Sequence, residues 1–359
     1  MKGNFRSLFL YDTAEAIRLE ALTPLLASSV MKVPTGLASP PPQHLRFERP
    51  PVVERVEPFS LPTGEQVGGR IKYYDYGVVS VELGLSFDAE WPELVQQSSR
   101  WIVATELENC AAELVRGALK RAEPALVNGY KDWLREDYYM IHLREITGAD
   151  GRTMRAEELL AQHGGEIAQL VRGETMPLAD IEQQEVLQSS ISYSHADLLV
   201  VGWSGALIYG NEEGAATTIQ LLEYANTQLL EFRYYDSLLT NLLGGVYRSM
   251  ERKGLLTAWR FSREAARLNT IRLDVMELTE RVDNAVKFLS DMFYARLYGV
   301  ISARVGVPDY RRLVDQKLRT AGELYRFMVD QFNQTRSFVL ELTVVIILFI
   351  EIVALFRGK

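Results

Sequence analysis

Few residues of this sequence have the types and spacing that chemistry needs. The four histidines, His44, His142, His163 and His195, stand too far apart to form a recognisable zinc motif, and there is no CxxC. His195 lies between Tyr193 and Asp197 and is the only histidine in a polar-aromatic setting, where a structural role outweighs catalysis. The glycine-rich stretch Gly202–Gly214 (GWSGALIYGNEEG) spaces Gly205 and Gly210 as a P-loop would. Asn211 occupies the lysine position, however, and Glu212 and Glu213 would repel phosphate there. Those acids suit the positive end of a helix dipole. Ser189, Ser190, Ser192 and Ser194 sit near His195, but no G-x-S-x-G elbow accompanies them. A hydrolase using the Tyr193–Gly210 region is therefore the weakest of three functional readings. No catalytic residue, cofactor or metal ligand is assigned.

Arg260, Arg263 and Arg267 recur at helical spacing beside Trp259 and Phe261. Guanidinium groups interleaved with aromatics can hold RNA phosphate and stack on bases. Glu264 and Asp274 interleave with them, so pairing within the helix is the default. Asp283, Asn284, Tyr294, Arg296 and Tyr298 place polar groups among apolar neighbours, and are read as hydrogen bonds that hold helices in register.

Composition narrows the classes. A chain of 359 residues is long enough for two domains. A net charge of −8 argues against a protein that coats nucleic acid, although a local basic patch remains compatible with it. The single cysteine, Cys110, excludes an intramolecular disulfide and reads as a buried small residue. The N-terminal segment meets Asp12, Glu15 and Glu20 early, which fits neither a secretory signal nor a transit peptide.

The elements that must position these residues divide the chain. Arg6–Tyr11 reads as a strand and Thr13–Leu22 as a helix ending before Pro24. A proline-rich connector over 38–62 follows, expected as extended or loop structure. Ile71–Phe87 reads as a hairpin or two strands, Trp91–Arg121 as helix, Asp137–Ile146 as strand and Thr153–Arg172 as helix. Asp197–Tyr209 reads as a buried strand or hairpin. Strands interleaved with helices predict an α+β domain over 1–210 with one helix-covered sheet. From about Asn211 the pattern is helical: a first helix to about Lys253, a second over about Leu256–Val305, and a third after the stop signal Gly306-Val307-Pro308. The second and third should pack antiparallel as a long helical hairpin, a stalk over 211–337.

The third helix carries one stripe at alternating four- and three-residue spacing. Val314, Leu318, Ala321, Tyr325, Met328 and Phe332 form a coiled-coil seam in a charged stem. Val339, Leu342, Ile346, Phe349, Val353 and Phe356 continue it into an apolar tail over 338–356 that also holds Glu341 and Glu351. A spanning helix needs about 20 apolar residues, and the two glutamates lie near the ends of the run. The tail is read as a transmembrane or membrane-embedded anchor, with a buried core helix of an oligomer as the alternative.

Four stretches resemble the required-for-meiotic-nuclear-division protein family. These are Tyr73–Leu85 (YYDYGVVSVELGL), Leu268-Asn269, Val282–Tyr298 (VDNAVKFLSDMFYARLY) and Leu340–Ile352 (LELTVVIILFIEI). Leu342 stands where the family commonly has tryptophan, and Phe288 and Phe293 are the aromatics where another tryptophan is usual. The departures are those of a divergent bacterial branch. The resemblance implies an inner-membrane-associated homo-oligomer with its bulk on the cytoplasmic side. For the mitochondrial member it implies support of translation, by tethering ribosomes; it carries no catalytic residues. The leading expectation is thus a tail-anchored, homo-oligomeric scaffold whose partners are itself, membrane lipid and a further protein. The runner-up is an RNA- or ribosome-contacting factor using Arg260, Arg263 and Arg267.

Overall fold

The structure, a computed structural model, describes residues 1–26, 49–146, 152–250, 263, 266–277, 279–280 and 292–357. It is a mixed α+β protein with one eight-stranded sheet. The strands are β1 (Lys2–Ile17), β2 (Val52–Ser60), β3 (Gln66–Tyr73), β4 (Val78–Asp88), β5 (Leu126–Glu145), β6 (Ser190–Ile191), β7 (Leu198–Val201) and β8 (Gly205–Tyr209). The helices are α1 (Leu19–Leu25), α2 (Trp91–Ile102), α3 (Thr105–Ala122), α4 (Ala156–Arg172), α5 (Asp180–Leu187), α6 (Glu212–Met250), α7 (266–277), α8 (Met292–Val305) and α9 (Val307–Arg357). Sheet order is β2-β3-β4-β1-β5-β8-β7-β6, and only the β5–β8 pair is parallel. The chain forms two compact units, one of 1–234 with 281–310 and one of 235–280 with 311–359.

In the first unit, strand alternation sends two residue sets to two faces. Phe5, Val79, Val81, Leu83, Tyr139, Ile141 and Leu207 pack with Trp91, Leu94, Leu107, Val115, Leu159, Ile167 and Val171 of α2, α3 and α4. That is the apolar core. The opposite face carries Lys72, Ser80, Glu82 and Glu136, and α6 meets it: Lys72 and Ser80 bond Glu223, and Arg233 pairs with Glu136.

Two expectations need correction. Thr13–Leu22 does not form a helix, because β1 runs on to Ile17. Ala14, Ala16 and Ile17 pair with Gly129, Val127 and Leu126 of β5, and Thr13 bonds the Gly77 carbonyl through both its amide and its hydroxyl. The helical spacing of Ala14, Ile17 and Ala21 is overridden by these pairings, and α1 begins only at Leu19. Within the proline-rich stretch, Val52–Ser60 is an edge strand, with Pro58 at a register break between Val56 and Phe59. An edge and an irregularity are where a strand tolerates a residue without an amide proton. His44 and Pro40–Pro42 lie outside the described residues.

The second correction concerns the C-terminus. Among the described residues no helix is long and apolar enough to cross a membrane. This overturns the transmembrane tail, the tail anchor and the inner-membrane location read from the sequence. The physical reason is the pair Glu341 and Glu351, which limit the glutamate-free run to Leu342–Ile350. That is well short of the roughly 20 residues a span requires, and each carboxylate would cost roughly 2.5–3.5 kcal/mol in the bilayer.

Gly77 and Gly306 are among the glycines that backbone geometry demands. Gly77 turns β3 into β4 at φ +95°, and a Cβ there would stand 1.8 Å from the Ala14 carbonyl oxygen. Gly306 takes φ +96° between α8 and α9, with Pro308 in the first turn of α9, where its missing amide proton costs nothing.

Lys72 and Glu223 are both nearly inaccessible. Removing one partner leaves the other charged and buried, which costs about 3–5 kcal/mol. Lys72→Ala should lose about that much in urea unfolding, and the double change Lys72→Met with Glu223→Leu should recover most of it. A single-variant loss no larger than that of an exposed lysine would refute the pair's role.

Candidate functional site

The glycine-rich stretch builds a hairpin followed by a helix cap. Gly202 and Gly205 close the β7–β8 turn through the Gly202 amide on the Gly205 carbonyl, 2.8 Å. Gly210 ends β8 at φ +140°, and the Asn211 Oδ1 accepts the Gly214 amide at 2.8 Å, capping α6. Beside this cap lies a cavity of about 210 Å³. Tyr193, Asp197, Glu213, Thr218, Phe293 and Tyr294 are among its walls. The Tyr193 and Phe293 rings meet at 4.9 Å, and Arg296 lies 5.6 Å over Phe293. Asp197 holds one wall in shape by accepting the amides of Tyr193 and Ser194, at 2.7 and 3.0 Å, and the Ser194 hydroxyl at 2.6 Å.

The cavity does not bring a nucleophile to a base. The Ser194 hydroxyl is spent on Asp197, while the exposed His195 pairs with Glu157 at 3.1 Å. Ser189 is buried and donates to backbone carbonyls of Val186 and Val201. His142 donates from Nε2 to the Gly210 carbonyl at 2.9 Å, so its partnerless Nδ1 is the unprotonated nitrogen. Burial holds its pKa below the usual histidine value, which agrees with a neutral ring. His163 stacks on Trp91 at 4.5 Å, at a kink in α4 where its φ is −127°. Among the described residues no group of three or more His, Cys, Asp or Glu is placed to hold a metal ion.

Val314, Ala321 and Met328 are buried at seven-residue spacing in α9, Leu318 is half-buried and Tyr325 is exposed. Leu342, Ile346, Phe349, Val353, Glu341 and Glu351 are exposed. The side chains of Phe332, Val339 and Phe356 lie outside the description, as do Arg260, Asp283 and Asn284 altogether. Arg263 and Arg267 are exposed, while Leu268, Ile271 and Val275 beside them are buried. Tyr298 is buried with its ring 5.9 Å from that of Tyr224.

Sequence reasoning missed a polar layer between the sheet and α6. Burial alone would raise the Glu82 carboxyl. The charges of Arg70, Lys72 and Arg6, with hydrogen bonds from Arg70, outweigh it and hold Glu82 at about 2. Glu223 takes Lys72 and Ser80, and Tyr76 donates to Thr227, whose own proton goes to the Tyr224 carbonyl. Gln228 is buried with both ends of its amide unpartnered. Asp12, 2% exposed, has one carboxyl oxygen without a partner, and burial pushes it up to about 7. The legible signal was the four-residue spacing of Glu223, Thr227 and Glu231, a polar stripe on a helix that otherwise buries apolar residues.

A family model described as "Uncharacterized protein MJ0711, N-terminal domain" matches residues 2–216. The chain belongs to that family. The match takes in the whole sheet and the cap of α6. A relative from Methanocaldococcus jannaschii, described as "Uncharacterized protein MJ0711", is 22% identical over 188 residues. That alignment covers 52% of this chain and 58% of the relative, so the chain spans less than two thirds of the relative's length. No solved structure matches.

A raised folded-state pKa means that the folded protein binds the Asp12 proton more tightly than the unfolded chain. The associated stability is complete below about 4 and lost as pH rises through about 7. Thermal melts should therefore fall as pH rises from 5 to 8, and Asp12→Asn should flatten that slope. An unchanged slope in the variant would remove Asp12 as its source.

Proposed function

We propose that this chain is a homo-oligomeric scaffold. Its α+β unit presents a binding surface to a partner, and its helical unit supplies a self-associating stem. The observation that carries this reading lies along α9. The stripe that buries Val314, Ala321 and Met328 continues into Leu342, Ile346, Phe349 and Val353, which are 38 to 66% exposed. An exposed run of large apolar side chains on a charged protein marks a contact with another molecule. The seven-residue repeat suits a second copy of the same helix, with knobs meeting holes along the seam. Lys317 strengthens the base of the stem by donating to Asp236 at 2.5 Å and to Thr240 at 2.6 Å, tying α9 to α6 within the helical unit.

The motif resemblance to the required-for-meiotic-nuclear-division family supports the same reading, since it implies homo-oligomers. It also motivates a second one, contact with RNA or ribosomes in support of translation. Exposed Arg263 and Arg267, on a helix whose opposite residues are buried, favour that alternative.

The scaffold reading is tested by light scattering of the full chain and of a version ending at Ser337. The full chain should be an oligomer and the shortened one should contain fewer subunits; equal subunit counts would sink the proposal. For the second reading, Arg263→Glu with Arg267→Glu should abolish salt-sensitive binding to single-stranded RNA. If the unaltered protein binds no RNA at low salt, that reading is removed.

A further inference from the structure

On the α6-facing side of the sheet, at its β2 end, lies an open groove of about 560 Å³. Three arginines from three strands line it: Arg6 of β1, Arg55 of β2 and Arg70 of β3. Among the described residues, Glu82 is the only acid in the lining. It accepts Arg70 at 2.7 and 3.0 Å and Arg6 at 2.5 Å, so it holds two guanidinium planes in fixed positions without cancelling the local charge. Positive charge remains in excess here, in a chain whose net charge is −8. Part of it is uncommitted: the exposed Arg55 side chain forms no hydrogen bond or ion pair among the described residues.

The floor gives an independent sign. Gly68 of β3 lies directly opposite Gly84 of β4, and Gly84 is also opposite Arg6 of β1. Neither glycine has positive φ. A Cβ at Gly68 would meet nothing within 4 Å, and at Gly84 its nearest neighbour would be 3.8 Å away. Neither backbone conformation nor packing within the protein therefore requires glycine. Glycine inside a strand costs roughly 0.5–1 kcal/mol relative to alanine and marks places where another molecule approaches the backbone closely. Gly69 makes the contrast, because a Cβ there would stand 2.4 Å from the Glu82 carbonyl oxygen and the fold alone explains it.

We propose that this groove binds a phosphomonoester on a planar body, the chemistry of a nucleoside monophosphate. Arg55, with the partly exposed side chain of Arg6 beside it, receives the phosphate, since guanidinium groups match its oxygens in pairs. The bare peptide planes at Gly68 and Gly84 receive the flat group, with Val56 and Pro58 beside them as apolar wall. The groove volume lies within the range of small-molecule sites.

The test is calorimetric titration of the full chain with AMP, GMP, CMP and UMP, with inorganic phosphate, adenosine and a short single-stranded RNA in parallel. At least one mononucleotide should bind saturably at one per chain, and more tightly than phosphate or adenosine. Arg55→Ala should weaken it about 10- to 100-fold, the worth of a charge-assisted hydrogen bond. Gly68→Val should abolish binding while leaving the melting temperature unchanged or higher, because its side chain enters open space on a strand that favours it. No saturable mononucleotide binding, or binding that survives both changes in folded protein, overturns the proposal. So does phosphate binding as tightly as the nucleotides, or RNA binding without mononucleotide binding.

Discussion

Lys72 is buried on the face of the sheet that α6 covers, and its charge is tolerable there because Glu223 bonds it and Glu82 stands 3.9 Å away. Much of the first unit's geometry depends on the bond between Lys72 and Glu223. Glu223 also accepts from Ser80 on the next strand, so one helical residue bridges β3 and β4. One turn on, Thr227 receives Tyr76 from the turn between those strands, and further along Arg233 reaches Glu136 on β5. A purely apolar helix could slide along such a face at little cost. A helix bearing charges at fixed intervals has one register at which they are all satisfied.

The same economy of charge shapes the groove beside it. Glu82 stands between the buried Lys72 and the more exposed Arg6 and Arg70, and its carboxyl stays ionised in spite of burial because three cations surround it. The polar layer thus grades from closed pairs under α6 to partly free guanidinium edges where the sheet opens to solvent. Asp12 lies at the other extreme, an acid with no cation on its free oxygen and a carboxyl that keeps its proton to about neutral pH. The opposite, apolar face can therefore supply cohesion while this face supplies register and chemistry.

Helix α9 shows how one periodic pattern can lead to two environments. Its first part buries Val314, Ala321 and Met328 within the helical unit, and its later part leaves the same stripe open. The repeat itself does not change between them; what changes is whether the chain provides a neighbour. Glu341 and Glu351 sharpen the distinction, since they shorten the apolar run below what a bilayer requires and yet leave enough apolar surface to need covering.

Local pattern was sufficient for much of the chain. Alternating β-branched residues announced β4, Gly306-Val307-Pro308 announced the break before α9, and Glu212-Glu213 announced the positive end of a helix at the start of α6. Each is a property of neighbours in sequence, read from backbone preference and helix dipole alone. The course of β1 beyond Tyr11 was not legible, because its pairing with Gly129 and Val127 is a long-range choice that overrides helical spacing. The cavity at Tyr193 needed Phe293, which lies far along the chain. The polar layer was hidden for the same reason. Arg6, Lys72, Glu82 and Glu223 look like ordinary surface charges one by one, and only a sheet that brings β1, β3 and β4 side by side under α6 removes them from water. For β4, α6 and α9 the sequence by itself determined the type of element and, at Gly306, where one helix stops and the next begins. Tertiary structure alone decided which charges would be buried together, because burial and pairing are properties of residues that the chain keeps far apart.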